Sequence, residues 1–135
     1  KGICCMTDER FLQGLKTAGE LFPPREDGES PRFSYPPEIA DDWNALSIST
    51  VMGDVWSRPG LPKTQRAMLT IAAMTVLDKP EQLKAYITAA LNLGVTRHEV
   101  CEVIMQMAVY GGFPAAIQGL GAANEVFESR DSSEG

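Results

Sequence analysis

The chain has little with which to build a metal centre or grip a nucleic acid. Among its 135 residues there is one histidine, three cysteines and 7% aromatics, and 12 basic residues stand against 18 acids. A net charge of −6 and a pI near 4.7 argue against a nucleic-acid surface, which needs clustered Lys and Arg. One histidine leaves few ligands for a transition metal, so no metal site is expected. Long apolar runs are also missing. The stretch from Ala67 to Leu77 is broken by Thr70 and Thr75 and is far too short to span a membrane. Cys4 and Cys5 are adjacent and Cys101 stands alone, which gives no disulfide framework and suits a reducing cytosol. No charged-then-apolar leader opens the sequence, so a cytoplasmic location is expected.

What remains is a chain of one-domain length, 44% hydrophobic and 22% charged. Residues 1–6 are expected to be a disordered extension or an expression remnant. Residues 7–129 are expected to form a single domain, and 130–135 a flexible tail.

The apolar spacing is helical nearly throughout. Thr7 is placed to cap a first helix ending near Leu21, with Phe11, Leu12, Leu15, Ala18 and Leu21 inward. Five prolines between Phe22 and Pro37 mark an extended loop. A second helix is expected from Pro37 to Val55, burying Ile39, Trp43, Leu46, Ile48 and Val51. A third follows Pro62; it is apolar over most of its circumference, as suits the centre of a bundle. Asp78 and Glu81 have the spacing of a capping box for a fourth helix with the stripe Leu83, Tyr86, Ile87, Ala90 and Leu91. Gly94 then supplies a left-handed stop. Thr96 and Glu99 form a standard capping box for a fifth helix striped by Val100, Val103, Ile104, Met107 and Ala108. Gly111-Gly112 ends it, and a sixth runs from Pro114 to about Ser129. Six helices cover roughly two-thirds of the chain, twice the usual share. The fold class is all-α. The wide apolar faces exceed what a monomer of this size hides, so a homo-oligomer is expected.

Three stretches, in order and at matching separations, resemble the carboxymuconolactone decarboxylase family, whose members share the AhpD-like helical fold. They are Gly53-Asp54-Val55-Trp56-Ser57-Arg58-Pro59-Gly60-Leu61; Lys79-Pro80-Glu81-Gln82-Leu83 with Ala89 to Arg97; and Glu102 to Gln106 with Ala108 to Ala116. The resemblance implies a trimer or hexamer without a cofactor. It also implies removal of carbon dioxide from a small carboxylated lactone in aromatic-compound breakdown. A diverged lyase or cyclase, or a non-catalytic ligand-binding oligomer, would use the same scaffold.

Decarboxylation needs a grip on the substrate's anionic groups, a place for the electrons left behind, and a proton donor. Arg58 offers a planar, two-pronged clamp; the plainer reading pairs it with a loop acid such as Asp54. Trp56 either walls the pocket or simply packs. Arg66 is a second clamp or an ordinary ion pair. The resemblance implies histidine just before Ala89-Ala90-Leu91, but this chain has Tyr86, a hydrogen-bond donor and oxyanion stabiliser rather than a neutral-pH base; a core tyrosine is the alternative. Glu102 matches a family glutamate and would do acid–base work if partly buried, or else form a salt bridge. Glu81 reads as a capping residue and His98 as a surface residue. Tyr110, with Gly111-Gly112, would stand at the pocket rim. The redox branch of the fold carries a C-x-x-C motif at positions filled here by Lys79 and Gln82, so thiol peroxidase chemistry by that route is absent.

Overall fold

Asp8, rather than Thr7, begins the first helix: its carboxylate accepts from the Arg10 N–H at 2.9 Å, satisfying one of the free donors at the helix start. The structure is a computed structural model that describes residues 8–24 and 33–134. Thr7, Cys4, Cys5 and residues 25–32 of the proline-rich loop lie outside the described residues. The described residues form α1 (Glu9–Leu21), α2 (Pro37–Ser47), a π-helix (Ile48–Trp56), α3 (Lys63–Val76), α4 (Pro80–Asn92), α5 (Arg97–Gly111) and α6 (Phe113–Glu134), with no strand among them. The chain divides into two compact units, Lys1–Lys63 and Thr64–Gly135.

In the first unit α1 packs along the π-helix, and α2 touches the same element. The inward face of α1 is Gly14, Thr17 and Leu21, while the expected core residues Leu12 and Leu15 are exposed. Close backbone approach explains the rotation. A β-carbon at Gly14 would overlap the Ile48 carbonyl, and one at Gly53 would overlap the Arg10 carbonyl. Leucines cannot occupy such a seam, so small residues do. Arg10 and Asp54 close it with a two-pronged ion pair, Nε to Oδ1 at 2.9 Å and Nη2 to Oδ2 at 2.7 Å. The single helix expected from Pro37 to Val55 is instead α-helical only to Ser47. The wider π-coil then buries Ser49, Met52, Gly53 and Trp56, leaving Ile39, Trp43, Leu46 and Val51 exposed. Trp43 meets Tyr35 edge to face, with ring centroids 5.9 Å apart.

In the second unit the central element is α6, not α3. It packs along both α4 and α5 through a stripe of small residues, Ala116, Gly119, Ala122 and Ala123, continued by Val126. Gly119 is the crossing point. A β-carbon there would lie 2.9 Å from Ile104 Cγ2 and 3.1 Å from Thr75 Cγ2. α3 buries only Ala67, Ile71 and Thr75, one residue per turn; Leu69, Val76 and Leu77 are exposed.

Asp78 does not cap α4. It takes φ +56° and closes α3, with the Asp78 N–H donating to Thr75 and the Lys79 N–H to Met74, a Schellman closure with aspartate where glycine is usual. Pro80 then opens α4, its missing N–H costing nothing at that position. The same closure ends α4: Gly94 at φ +99° donates to Leu91 and Val95 to Ala90, with Val95 buried beneath. Leu83, Ile87 and Ala90 are buried as their spacing predicts. The Thr96–Glu99 capping box has both of its bonds, at 3.1 and 3.0 Å. Gly112, at φ +96°, ends α5. α6 passes its expected end near Ser129 and runs to Glu134. Its last turns are tied down by Arg97 to Asp131 at 2.5 Å and by Arg130 Nη1 to Asn92 Oδ1 at 3.1 Å. No helix of the described residues is long and apolar enough to cross a membrane.

Candidate functional site

α5 starts at the Thr96 cap and presents Glu99, Glu102, Val103, Met105, Gln106 and Val109 along one side, at helical spacing. With Met68 of α3 these residues line an open groove of about 470 Å³ in the second unit. Its wall is mostly apolar, with two carboxylates toward the start of α5 and one carboxamide. The two acids differ in availability. Glu99 accepts from the Thr96 N–H at 3.0 Å, and that backbone bond, followed by the Thr96 side chain, holds its carboxyl below the usual range. Glu102 is the acid left facing the groove. Its side chain is 53% exposed, and its Oε1 lies 3.3 Å from His98 Nε2, one turn earlier. His98 is on the surface as expected, 84% exposed.

The other candidates are distributed over both units. In the first, Trp56 is buried at the end of the π-helix and Arg58 is exposed in the following turn. Asp54, the acid considered as an Arg58 partner, has its carboxylate taken by Arg10, which keeps it well ionised. In the second, Arg66 is half-buried on the second turn of α3 and Tyr86 is half-buried on α4. Tyr110 is 76% exposed at the end of α5. Of the candidates, the α5 groove contains Glu102 alone. Gln106, one turn beyond it, and Met68 were not selected by sequence reasoning; the i, i+4 step from Glu102 was the available signal for Gln106. The His98–Glu102 pair was legible by the same step. Cys101 is half-buried on α5 as a free thiol. No group of three or more His, Cys, Asp or Glu among the described residues stands together as a metal site.

Residues 41–125 match the Carboxymuconolactone decarboxylase family. Over 124 residues, 91% of each chain, the sequence is 33% identical to the 4-carboxymuconolactone decarboxylase of Acinetobacter baylyi. The chain therefore belongs to the carboxymuconolactone decarboxylase family. It is also 39% identical over 82 residues to an uncharacterized 15.0 kDa protein of Paracoccus denitrificans, covering 58% of this chain and 60% of that one. A third relative, the nitrosuccinic acid decarboxylase of Metarhizium robertsii, is 37% identical over 68 residues, or 50% of this chain and 48% of its own.

Proposed function

We propose that the chain is a cofactor-free, cytoplasmic lyase that removes carbon dioxide from a small carboxylated lactone or related acid. The similarity to 4-carboxymuconolactone decarboxylase along 91% of both chains carries this reading. The shorter similarity to nitrosuccinic acid decarboxylase supports the wider class of small carboxylic acids. In the proposed chemistry Arg66, of the same unit as Tyr86 and Glu102, binds the anionic groups in two-pronged fashion. As the carboxylate departs as carbon dioxide, its electron pair passes into the conjugated ring, where the Tyr86 hydroxyl stabilises the developing oxyanion. Glu102 handles the proton delivered to carbon. Tyr110 contributes the rim.

A homo-oligomer, a trimer or hexamer, belongs to the same proposal. Val109, Tyr110, Phe113 and Ile117, at the junction of α5 and α6, are all more than 60% exposed, and exposed large apolar side chains close together in the chain suit an association surface.

The test is carbon dioxide release from 4-carboxymuconolactone, with the lactone lacking the carboxyl group as control. Turnover of the first alone is expected. Binding of both without turnover would make the chain a ligand-binding oligomer instead.

A further inference from the structure

We propose that His98 positions the Glu102 carboxylate over the α5 groove. His98 Nε2 stands 3.3 Å from Glu102 Oε1, and Glu102 is part of the groove wall. The contact at Oε1 favours the arrangement that leaves Oε2 to exchange a proton with whatever occupies the groove. Structural service does not account for the pair. An exposed pair one turn apart adds little to stability. The helix start is already satisfied by Thr96 and Glu99.

Two neighbouring charges on α5 are otherwise engaged. Glu99, the other groove acid, accepts from the Thr96 N–H through its carboxylate, and Arg97 is held by Asp131 of α6. α3 contributes only Met68 to the groove wall. His98 is also the only histidine in the sequence, so any imidazole signal from the whole protein reports this one site.

Two measurements test the proposal. The first needs no substrate: carbethoxylation of His98 by diethyl pyrocarbonate, followed by absorbance. Glu102→Gln should react about two- to fivefold faster than wild type, the range an exposed side-chain pair one turn apart allows. Equal rates would overturn the pairing. The second rests on the decarboxylase reading. With 4-carboxymuconolactone, His98→Ala should lower kcat about tenfold with KM little changed, as loss of orientation does. His98→Gln, which keeps an N–H donor, should restore part of the loss, and His98→Ala should have no further effect in Glu102→Gln. An active wild type whose kcat ignores His98→Ala would overturn the positioning role. A wild type without turnover would overturn the decarboxylase reading, and the carbethoxylation rates would still decide for or against the pair.

Discussion

Gly14 of α1 lies so close to the carbonyl oxygen of Ile48 that no β-carbon fits between them. The same holds for Gly53 and the Arg10 carbonyl, so each helix gives the other a notch. Gly14→Ala or Gly53→Ala should each destabilise the protein by about 2–4 kcal/mol, because the obstructing atom is backbone and cannot swing aside. Gly19→Ala, on the open side of α1 with nothing within 4 Å, should instead stabilise by about 0.5–1 kcal/mol through helix propensity. Urea midpoints of the three variants separate these outcomes; a shared direction of change would contradict the seam.

The Arg10–Asp54 pair predicts a pH signature. The hydrogen bonds from Arg10 hold the Asp54 carboxyl below its ordinary value near 3.8. A group depressed in the folded state stabilises above its unfolded value and loses that contribution as pH falls through the folded one. The stability difference between wild type and Asp54→Asn should therefore be constant from neutral pH to about pH 5 and shrink below about pH 4. A gap that widens on acidification would contradict the pairing.

Thr17 is fully buried, and its hydroxyl has no hydrogen-bond partner among the described residues. Thr17→Val keeps the shape and removes a desolvated polar atom, so it should be neutral or stabilise by up to about 1 kcal/mol. Thr75, equally buried, donates to the Ile71 carbonyl at 2.8 Å. Thr75→Val should cost about 0.5–1.5 kcal/mol. Thermal unfolding of the two variants should move in opposite directions or differ by that margin.

Asp78 closes α3 at φ +56°, a conformation that costs most L-residues about 1–2 kcal/mol. Asp78→Gly should stabilise by a few tenths to about 1 kcal/mol after the greater freedom of unfolded glycine is subtracted. A loss of stability would mean that the Asp78 side chain supports the turn.

The second unit was largely legible in sequence. The Thr96–Glu99 box, the Gly94 stop and the buried stripe Leu83, Ile87 and Ala90 each follow from local rules that tertiary contacts reinforce. The first unit was not, because its inward faces are chosen by size rather than hydrophobicity. Gly14, Thr17, Ser49 and Gly53 face inward where backbones nearly touch, while Leu12, Leu15 and Trp43 remain exposed. α3 misleads in the same way: its apolar circumference reads as central, yet α6, whose inward stripe is alanine and glycine, takes that place. At the candidate site the residue types and the His98–Glu102 step were readable. The groove was not, since it depends on Met68 of α3 lying beside α5.

The most direct test of the account is the steady-state kcat for 4-carboxymuconolactone in wild type, Tyr86→Phe and Glu102→Gln. The account predicts turnover in the wild type, with each substitution lowering kcat by more than about tenfold, the scale of a lost proton-transfer or oxyanion group. Binding without turnover, or turnover that neither substitution changes, would contradict it.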